Sequence, residues 1–104
     1  MTSMDELVDQ VIAWGEQHEI TNLLSQASKV TEEWGETLGE LNHGRFGAEF
    51  EDGIGDTLVS LILFAHISGK NVAECLANTL QVIQGRDGQT VDGNFIKEEN
   101  ALTK

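Results

Sequence analysis

Apolar residues recur at helical spacing in four segments of the chain, which predicts four helices. The first ends between 15 and 18, and the second runs up to a loop over 42–48. The third covers about 49–68, and the fourth ends before Gly85. Side chains able to cap a helix start precede these segments; they are Thr2 or Ser3, Thr21 or Asn22, and Asn71. The pattern therefore predicts an all-α bundle of about four helices.

The third predicted helix differs from the others because Leu58 to Ala65 is apolar on nearly every face, with Ser60 as its one polar residue. A helix that is apolar all round is normally buried on all sides. A chain of 104 residues has too little protein to surround it. We therefore predict self-association as a dimer or a tetramer, with this helix in the interface.

Length and composition support one helical domain. A chain of 104 residues without proline predicts a single domain over 1–104 and favours helices. The last helix is followed by a segment rich in glycine and polar residues, with one apolar pair at Phe95 and Ile96. We expect residues 85–104 to form an extended tail.

The charge excludes several classes of partner. A formal charge of −12 argues against nucleic acid and against an anionic membrane surface, because both require clustered basic residues. The single cysteine, Cys75, suits a reducing compartment, and we expect it in the core. Residues 1–7 show no signal peptide pattern, and the run 58–65 is too short to span a bilayer. We predict a cytoplasmic protein.

Acidic residues are grouped on the second and third predicted helices. Glu33, Glu36 and Glu40 share one stripe, which taken alone is also typical of a solvated helix face. Asp52 and Asp56 share a face of the third helix, and Asp56 directly precedes the apolar run. We expect Asp56 to be nearly buried, where a carboxylate requires a partner or a metal.

A divalent cation would meet that requirement, because no Lys or Arg occurs between Arg45 and Lys70. Carboxylates on facing helices are an established way to build such sites. Hard oxygen ligands select Mg²⁺, with Mn²⁺ as a possible substitute. Because Mg²⁺ usually joins carboxylates to substrate phosphates, the pattern indicates phosphate ester or anhydride chemistry.

Three segments carry a resemblance to a known family. Lys29, Glu32 and the run 33–36 resemble the K-x-x-E-E-x-G-E segment of the MazG-like all-α nucleoside triphosphate pyrophosphohydrolases. The run 55–59, Gly-Asp-Thr-Leu-Val, is similar to their G/A-D-V-L-V segment. The segment 86–97 resembles the R-x-G…G-x-F-x-K ending of small members. The similarity covers about residues 7–97.

The resemblance implies Mg²⁺-dependent hydrolysis of a nucleoside triphosphate, expected to be a dNTP, to the monophosphate and pyrophosphate. Such an activity cleans the nucleotide pool. It also implies Glu33, Glu36 and Asp56 as metal ligands, with Glu32 as an outer base that orients water. The family's E-x-x-D motif is broken here, because Gly53 stands three residues before Asp56. We expect Asp52 to replace the missing ligand, with Glu49 as the alternative.

Other side chains are candidates for substrate contacts. This acidic chain has few cationic side chains, so any that lie near the site would matter for the attraction of an anionic substrate. The candidates for the triphosphate or the base are Lys29, Asn22, Trp14, Arg86 and Lys97. Trp34 is expected in the core instead. Two alternatives remain open: a non-catalytic helical regulatory module with a degenerate metal site, and a related phosphohydrolase acting on a phosphoribosyl-ATP-like compound or a nucleoside diphosphate.

Overall fold

The computed structural model describes residues 1–98 and confirms the all-α class. Its elements are α1 (Met4–Gln17), α2 (Leu23–Asn42), α3 (Ala48–Ile67), α4 (Val72–Gln84), β1 (Gly88–Val91) and β2 (Asn94–Lys97). The chain forms two compact units, the first over Met1–Val72 and the second from Ala73 onward. Part of the predicted tail, residues 99–104, lies outside the described residues.

The predicted caps start the first two helices. Ser3 and Glu6 form a capping box, in which the Ser3 hydroxyl accepts from the Glu6 N–H and the Glu6 carboxylate accepts from the Ser3 N–H. The Asn22 side-chain oxygen accepts from the Ser25 N–H at 2.9 Å. Each cap satisfies a backbone donor that lacks a partner within the helix.

The core of the first unit lies along α3, which packs against α2 and α1. Its buried apolar residues are Ile62, Leu63 and Ala65. Gln26 on α2 is buried and donates its amide N–H to the Ser60 carbonyl oxygen at 3.1 Å. This polar contact fixes the register between α2 and α3 because a buried amide is costly without a partner.

The apolar run of α3 is not covered on all sides within one chain. Ile54, Leu58 and Leu61 form an exposed stripe at 44, 47 and 41% exposure. Their spacing of four and three places them on one face of the helix. Within residues 1–98, no single helix has both the length and the apolarity to cross a bilayer, although α3 and α4 together reach that threshold by length and composition.

Several predicted core positions are exposed. Trp34 is 49% exposed, so the prediction of a core position is wrong for the single chain. The apolar positions of α4, which helical spacing predicts to face inward, are also exposed: these are Leu76, Leu80 and Ile83, and α4 has no buried residue. Cys75, on the same helix, is exposed rather than buried in the core. Helical periodicity identifies an apolar face without saying whether the same chain covers it.

The expected extended tail contains a β-hairpin. Strands β1 and β2 pair antiparallel, with Gly88 opposite Lys97 and Val91 opposite Asn94. Asp92 and Gly93 connect them with φ angles of 51° and 77°. An Asp-Gly pair with both φ angles positive is the preferred two-residue hairpin connection, because its twist matches that of the strands. The Asp-Gly dipeptide was the sequence signal for this element.

Candidate functional site

A groove of about 340 Å³ lies where α2 and α3 face each other. The lining residues are Glu36, Thr37, Glu40, Glu49, Asp52, Gly53 and Asp56. Five of these seven residues carry carboxylates and none is basic. The groove therefore brings together three of the four predicted metal ligands, Glu36, Asp52 and Asp56.

The spacing of the acids explains why they line one groove. Glu36 and Glu40 are four residues apart on α2, and Glu49, Asp52 and Asp56 follow each other by three and four on α3. Residues at these intervals lie on one face of a helix. Two acidic faces thus meet at a helix contact, where apolar residues are the usual choice.

Glu33, the fourth predicted ligand, is not among the lining residues but lies within the field of two of them. Partial burial is the largest cause that raises its pKa, followed by the negative charges of Glu36 and Asp56. Lys29 opposes this shift with its ammonium 3.8 Å from the Glu33 carboxylate. The side chain of Glu33 is only 15% exposed. Carboxylates from α2 and α3 therefore repel one another at this position.

The burial predicted for Asp56 is wrong. Asp56 is exposed, although Ser60, one turn later, is 4% exposed. The reason is geometric, because Asp56 lines the open groove and water reaches its carboxylate there. Burial therefore gives Asp56 no need of a metal. What remains is the mutual repulsion of several close carboxylates, which a cation would relieve.

Arg45 is a residue near the groove that the sequence argument overlooked. It follows α2 and donates from Nη2 to Glu40 Oε2 at 2.8 Å, with Nε 3.2 Å from both carboxylate oxygens. This contact lowers the pKa of Glu40, and Glu49 also attracts the Arg45 guanidinium. Two of the five acids are thus partly neutralised. Arg45 is the one Lys or Arg in the loop 42–48, which was its signal in the sequence.

The donor chemistry of the groove fits a hard divalent cation. Carboxylate oxygens are the ligands that Mg²⁺ and Ca²⁺ take in proteins, and the groove offers no softer sulfur or nitrogen ligand. Among residues 1–98, however, no three acidic, histidine or cysteine side chains converge closely enough as they stand to hold one ion together.

The other predicted site residues of the first unit occupy different surroundings. Lys29 pairs with Glu33 and so lies beside the acids. Glu32 is exposed and contributes to the field at Glu33. Asn22 caps α2 through its side-chain oxygen. The indole ring of Trp14 lies 4.6 Å from the ring of His18, centroid to centroid.

Trp14 also lines a second groove, of about 310 Å³, which is mostly apolar. Its lining residues are Leu7, Gln10, Val11, Trp14 and Val59. The acidic groove and this apolar groove share no lining residue, since one uses α2 with α3 and the other uses α1 with α3.

Arg86 and Lys97 belong to the second unit. Lys97 is the last residue of β2 and, with Gly88 and Gln89, lines a groove of about 350 Å³ on the hairpin. Arg86 precedes the hairpin and donates its backbone N–H to the Ile83 carbonyl oxygen. Their predicted contacts with a triphosphate stay predictions.

A comparison with known proteins shows which known fold the chain has. No family model and no curated protein matches the chain. Four helices with an acidic groove between the second and third define an all-α architecture. A solved structure has the same all-α fold: the MazG protein conserved in Bacillus, described as a nucleotide pyrophosphohydrolase, with a TM-score of 0.71 and 24% sequence identity. The match covers 84% of this chain and 95% of that one. The chain thus has the MazG-like fold that its motifs predicted.

Proposed function

We propose that this protein is a nucleoside triphosphate pyrophosphohydrolase that requires Mg²⁺, with Mn²⁺ as a substitute. A nucleoside triphosphate, preferentially a dNTP, is hydrolysed to the monophosphate and pyrophosphate, as a clean-up of the nucleotide pool. The observation that carries the proposal is the groove between α2 and α3, whose lining contains five carboxylates and no basic side chain. A pyrophosphohydrolase of the same fold supports it.

The electrostatics of the groove favour a cation before a phosphate. Carboxylates at Glu36, Asp52 and Asp56 repel a polyanionic substrate, so a phosphate chain approaches only after their charge is neutralised. Bound Mg²⁺ would supply Lewis-acid polarisation of a phosphoryl oxygen and a more acidic water. We assign Glu33, Glu36, Asp52 and Asp56 to hold it.

The remaining proposed residues orient the attacking water or contact the phosphates and the base of the substrate. Glu32 lies one residue from Glu33 and is exposed, so its carboxylate can orient a water and accept a proton from it. Lys29, 54% exposed beside Glu33, can leave that carboxylate and contact a phosphate. Asn22 and Trp14 are the proposed contacts of the base, and Arg86 and Lys97 those of the phosphates.

Arg45 favours Asp52 over Glu49 as the replacement for the missing family ligand. The Arg45 guanidinium is bound to Glu40 and attracts Glu49, so both acids already have a cation partner. For Asp52, no Lys or Arg within hydrogen-bonding reach is found among residues 1–98. A carboxylate without a cation partner has more to gain from a divalent ion.

The decisive experiment is a product assay on the common NTPs and dNTPs, in which pyrophosphate and monophosphate are quantified together. We expect both products in equal amounts with Mg²⁺ and none with excess chelator. Glu36→Gln should lower kcat by at least about a hundredfold, because it removes a charge that holds the metal. Glu51→Gln is the matched control, since Glu51 is exposed on α3 and does not line the groove. A folded wild-type protein that releases no pyrophosphate from any of these substrates would contradict the proposal.

A non-catalytic regulatory module is the second candidate. Two observations favour it. Gly53 stands where the family has a metal ligand, and within residues 1–98 no three carboxylates lie close enough together to hold one ion. Thermal unfolding with and without Mg²⁺ separates the two functions. A ligand at a hundred times its Kd stabilises the native state by about 2.7 kcal/mol. A melting temperature unchanged at millimolar Mg²⁺ would favour the module.

We also propose that the protein acts as a homo-oligomer, a dimer or a tetramer, in the cytoplasm. Ile54, Leu58 and Leu61 leave an apolar face of α3 exposed in the single chain. An apolar helix face is normally covered by protein, and a second copy of the chain would cover it. Sedimentation equilibrium at several concentrations tests this, and a monomer at micromolar concentration would contradict it.

A further inference from the structure

At the floor of the acidic groove, α2 and α3 approach each other closely through Thr37 and Gly53. A β-carbon added to Gly53 would overlap the Thr37 hydroxyl oxygen, and it would lie 3.2 Å from the Thr37 β-carbon and 3.4 Å from its α-carbon. Gly55, two residues later on the same helix, has open space around it. The separation of α2 and α3 therefore depends on the absence of a side chain at position 53 but not at position 55.

Neither partner in this contact is free to move aside. Thr37 is 2% exposed, and its hydroxyl donates to the Glu33 carbonyl oxygen at 2.9 Å. The Gly53 carbonyl oxygen accepts from the Thr57 hydroxyl at 2.7 Å. A larger residue at position 53 would consequently move the helices apart rather than rotate one side chain.

The contact is flanked by the acids. On α2, Glu36 adjoins Thr37, and on α3, Asp52 adjoins Gly53 with Asp56 one turn further on. A change in helix separation at this point therefore changes the distance between the backbone positions that carry these carboxylates. Cations are sensitive to that distance, because Mg²⁺ takes oxygen ligands at about 2.0–2.1 Å whereas Ca²⁺ takes them at about 2.3–2.6 Å.

We propose that Thr37 and Gly53 act as positioning residues, whose contact holds the acidic faces of α2 and α3 at a separation that selects Mg²⁺ over Ca²⁺. The inference rests on the proposed function, because it assumes that the groove binds a divalent cation. It adds that selectivity is set by a contact between two residues that do not themselves coordinate the ion.

The test is calorimetric titration of the full chain with MgCl₂ and with CaCl₂, without nucleotide. Gly53→Ala should lower Mg²⁺ affinity by about tenfold, which is the size of loss that substitutions of residues around a metal site commonly cause. It should lower Ca²⁺ affinity by much less. The double variant Thr37→Ala/Gly53→Ala removes the hydroxyl oxygen that the added β-carbon would overlap and should restore the wild-type ratio of affinities. Gly55→Ala, the matched control, should leave the ratio unchanged.

A second pair of variants covers the case in which Gly53→Ala does not fold. Thr37→Ala leaves a gap at the contact and should reduce the preference for Mg²⁺, whereas Thr37→Ser keeps the hydroxyl and should preserve it. An unchanged ratio in Thr37→Ala, and in Gly53→Ala where that variant folds, would overturn the positioning role while leaving the proposed function intact. A folded wild type that binds neither cation would overturn both.

Discussion

The packing of α1 on α3 rests on a second close approach, at Gly15. A β-carbon at Gly15 would overlap Leu63 Cδ2 and lie 3.6 Å from Leu63 Cγ. Leu63 is 3% exposed, so its side chain has little room to turn away. We therefore predict that Gly15→Ala destabilises the protein, although alanine is the better helix former.

Two opposing effects set the magnitude. Insertion of a methyl group into a packed core costs about 1–3 kcal/mol. The replacement of glycine by alanine within a helix returns about 1 kcal/mol. The net loss should therefore fall between about zero and 2 kcal/mol. In a domain of this size, each kcal/mol lowers the melting temperature by about 4–8 °C.

Urea unfolding followed by circular dichroism measures this loss, and Gly39→Ala is its matched control. Gly39 also lies near the end of a helix, α2, but a β-carbon added there would meet no atom within 4 Å. That variant should gain up to about 1 kcal/mol. Leu63→Val removes the overlapping carbon, so Gly15→Ala should cost less in its presence, with a coupling energy of about 0.5–3 kcal/mol.

A Gly15→Ala variant that is stabilised as much as Gly39→Ala would refute a close approach of α1 and α3 at Gly15. Such a result would mean that Leu63 does not pack against Gly15. It would also remove the basis for the apolar groove, since Trp14 adjoins Gly15 on α1 and Val59 lies one turn before Leu63 on α3.

Two further predictions concern the helix caps. Asn22→Ala should destabilise the protein by about 1 kcal/mol because the Ser25 N–H loses its acceptor, whereas Asn22→Asp should keep the cap; equal urea midpoints for all three proteins would contradict the role. Hydrogen bonds from the backbone and hydroxyl of Ser3 lower the pKa of Glu6 below its ordinary value of 4.5. These hydrogen bonds should stabilise the folded protein at pH values above 4.5, and the stabilisation should be lost as the pH falls through the lowered pKa of Glu6. Glu6→Gln should therefore flatten the acid side of the stability profile, and a profile identical to that of wild type would contradict this.

The helices and their starts were readable from sequence because both depend on neighbouring residues. Ser3 was one of the two expected caps of the first helix and Asn22 one of the two expected for the second, and each side chain bonds a backbone group three residues away. The acid spacing likewise placed Asp52 and Asp56 on one face of α3, and Glu36 on the acidic stripe of α2. The hairpin was equally local, and the Asp92-Gly93 dipeptide would have revealed it.

Distances between helices decided what the sequence did not. Asp56 directly precedes an apolar run, yet it is exposed, because the groove at its side opens to water. Gly53 looked like a lost ligand, but in the fold it is the point where α3 meets Thr37. Arg45 looked like the limit of a stretch without cations, but it is bound to Glu40.

The sequence by itself thus determined which residues form each helix and which of them share a face. Those properties follow from hydrogen bonds and periodicities that span three or four residues. Only the tertiary structure decided which faces meet, how closely they approach and which acids already have a cation partner. Such contacts join residues far apart in the chain, as Thr37 and Gly53 are, and their geometry depends on the packing of whole helices.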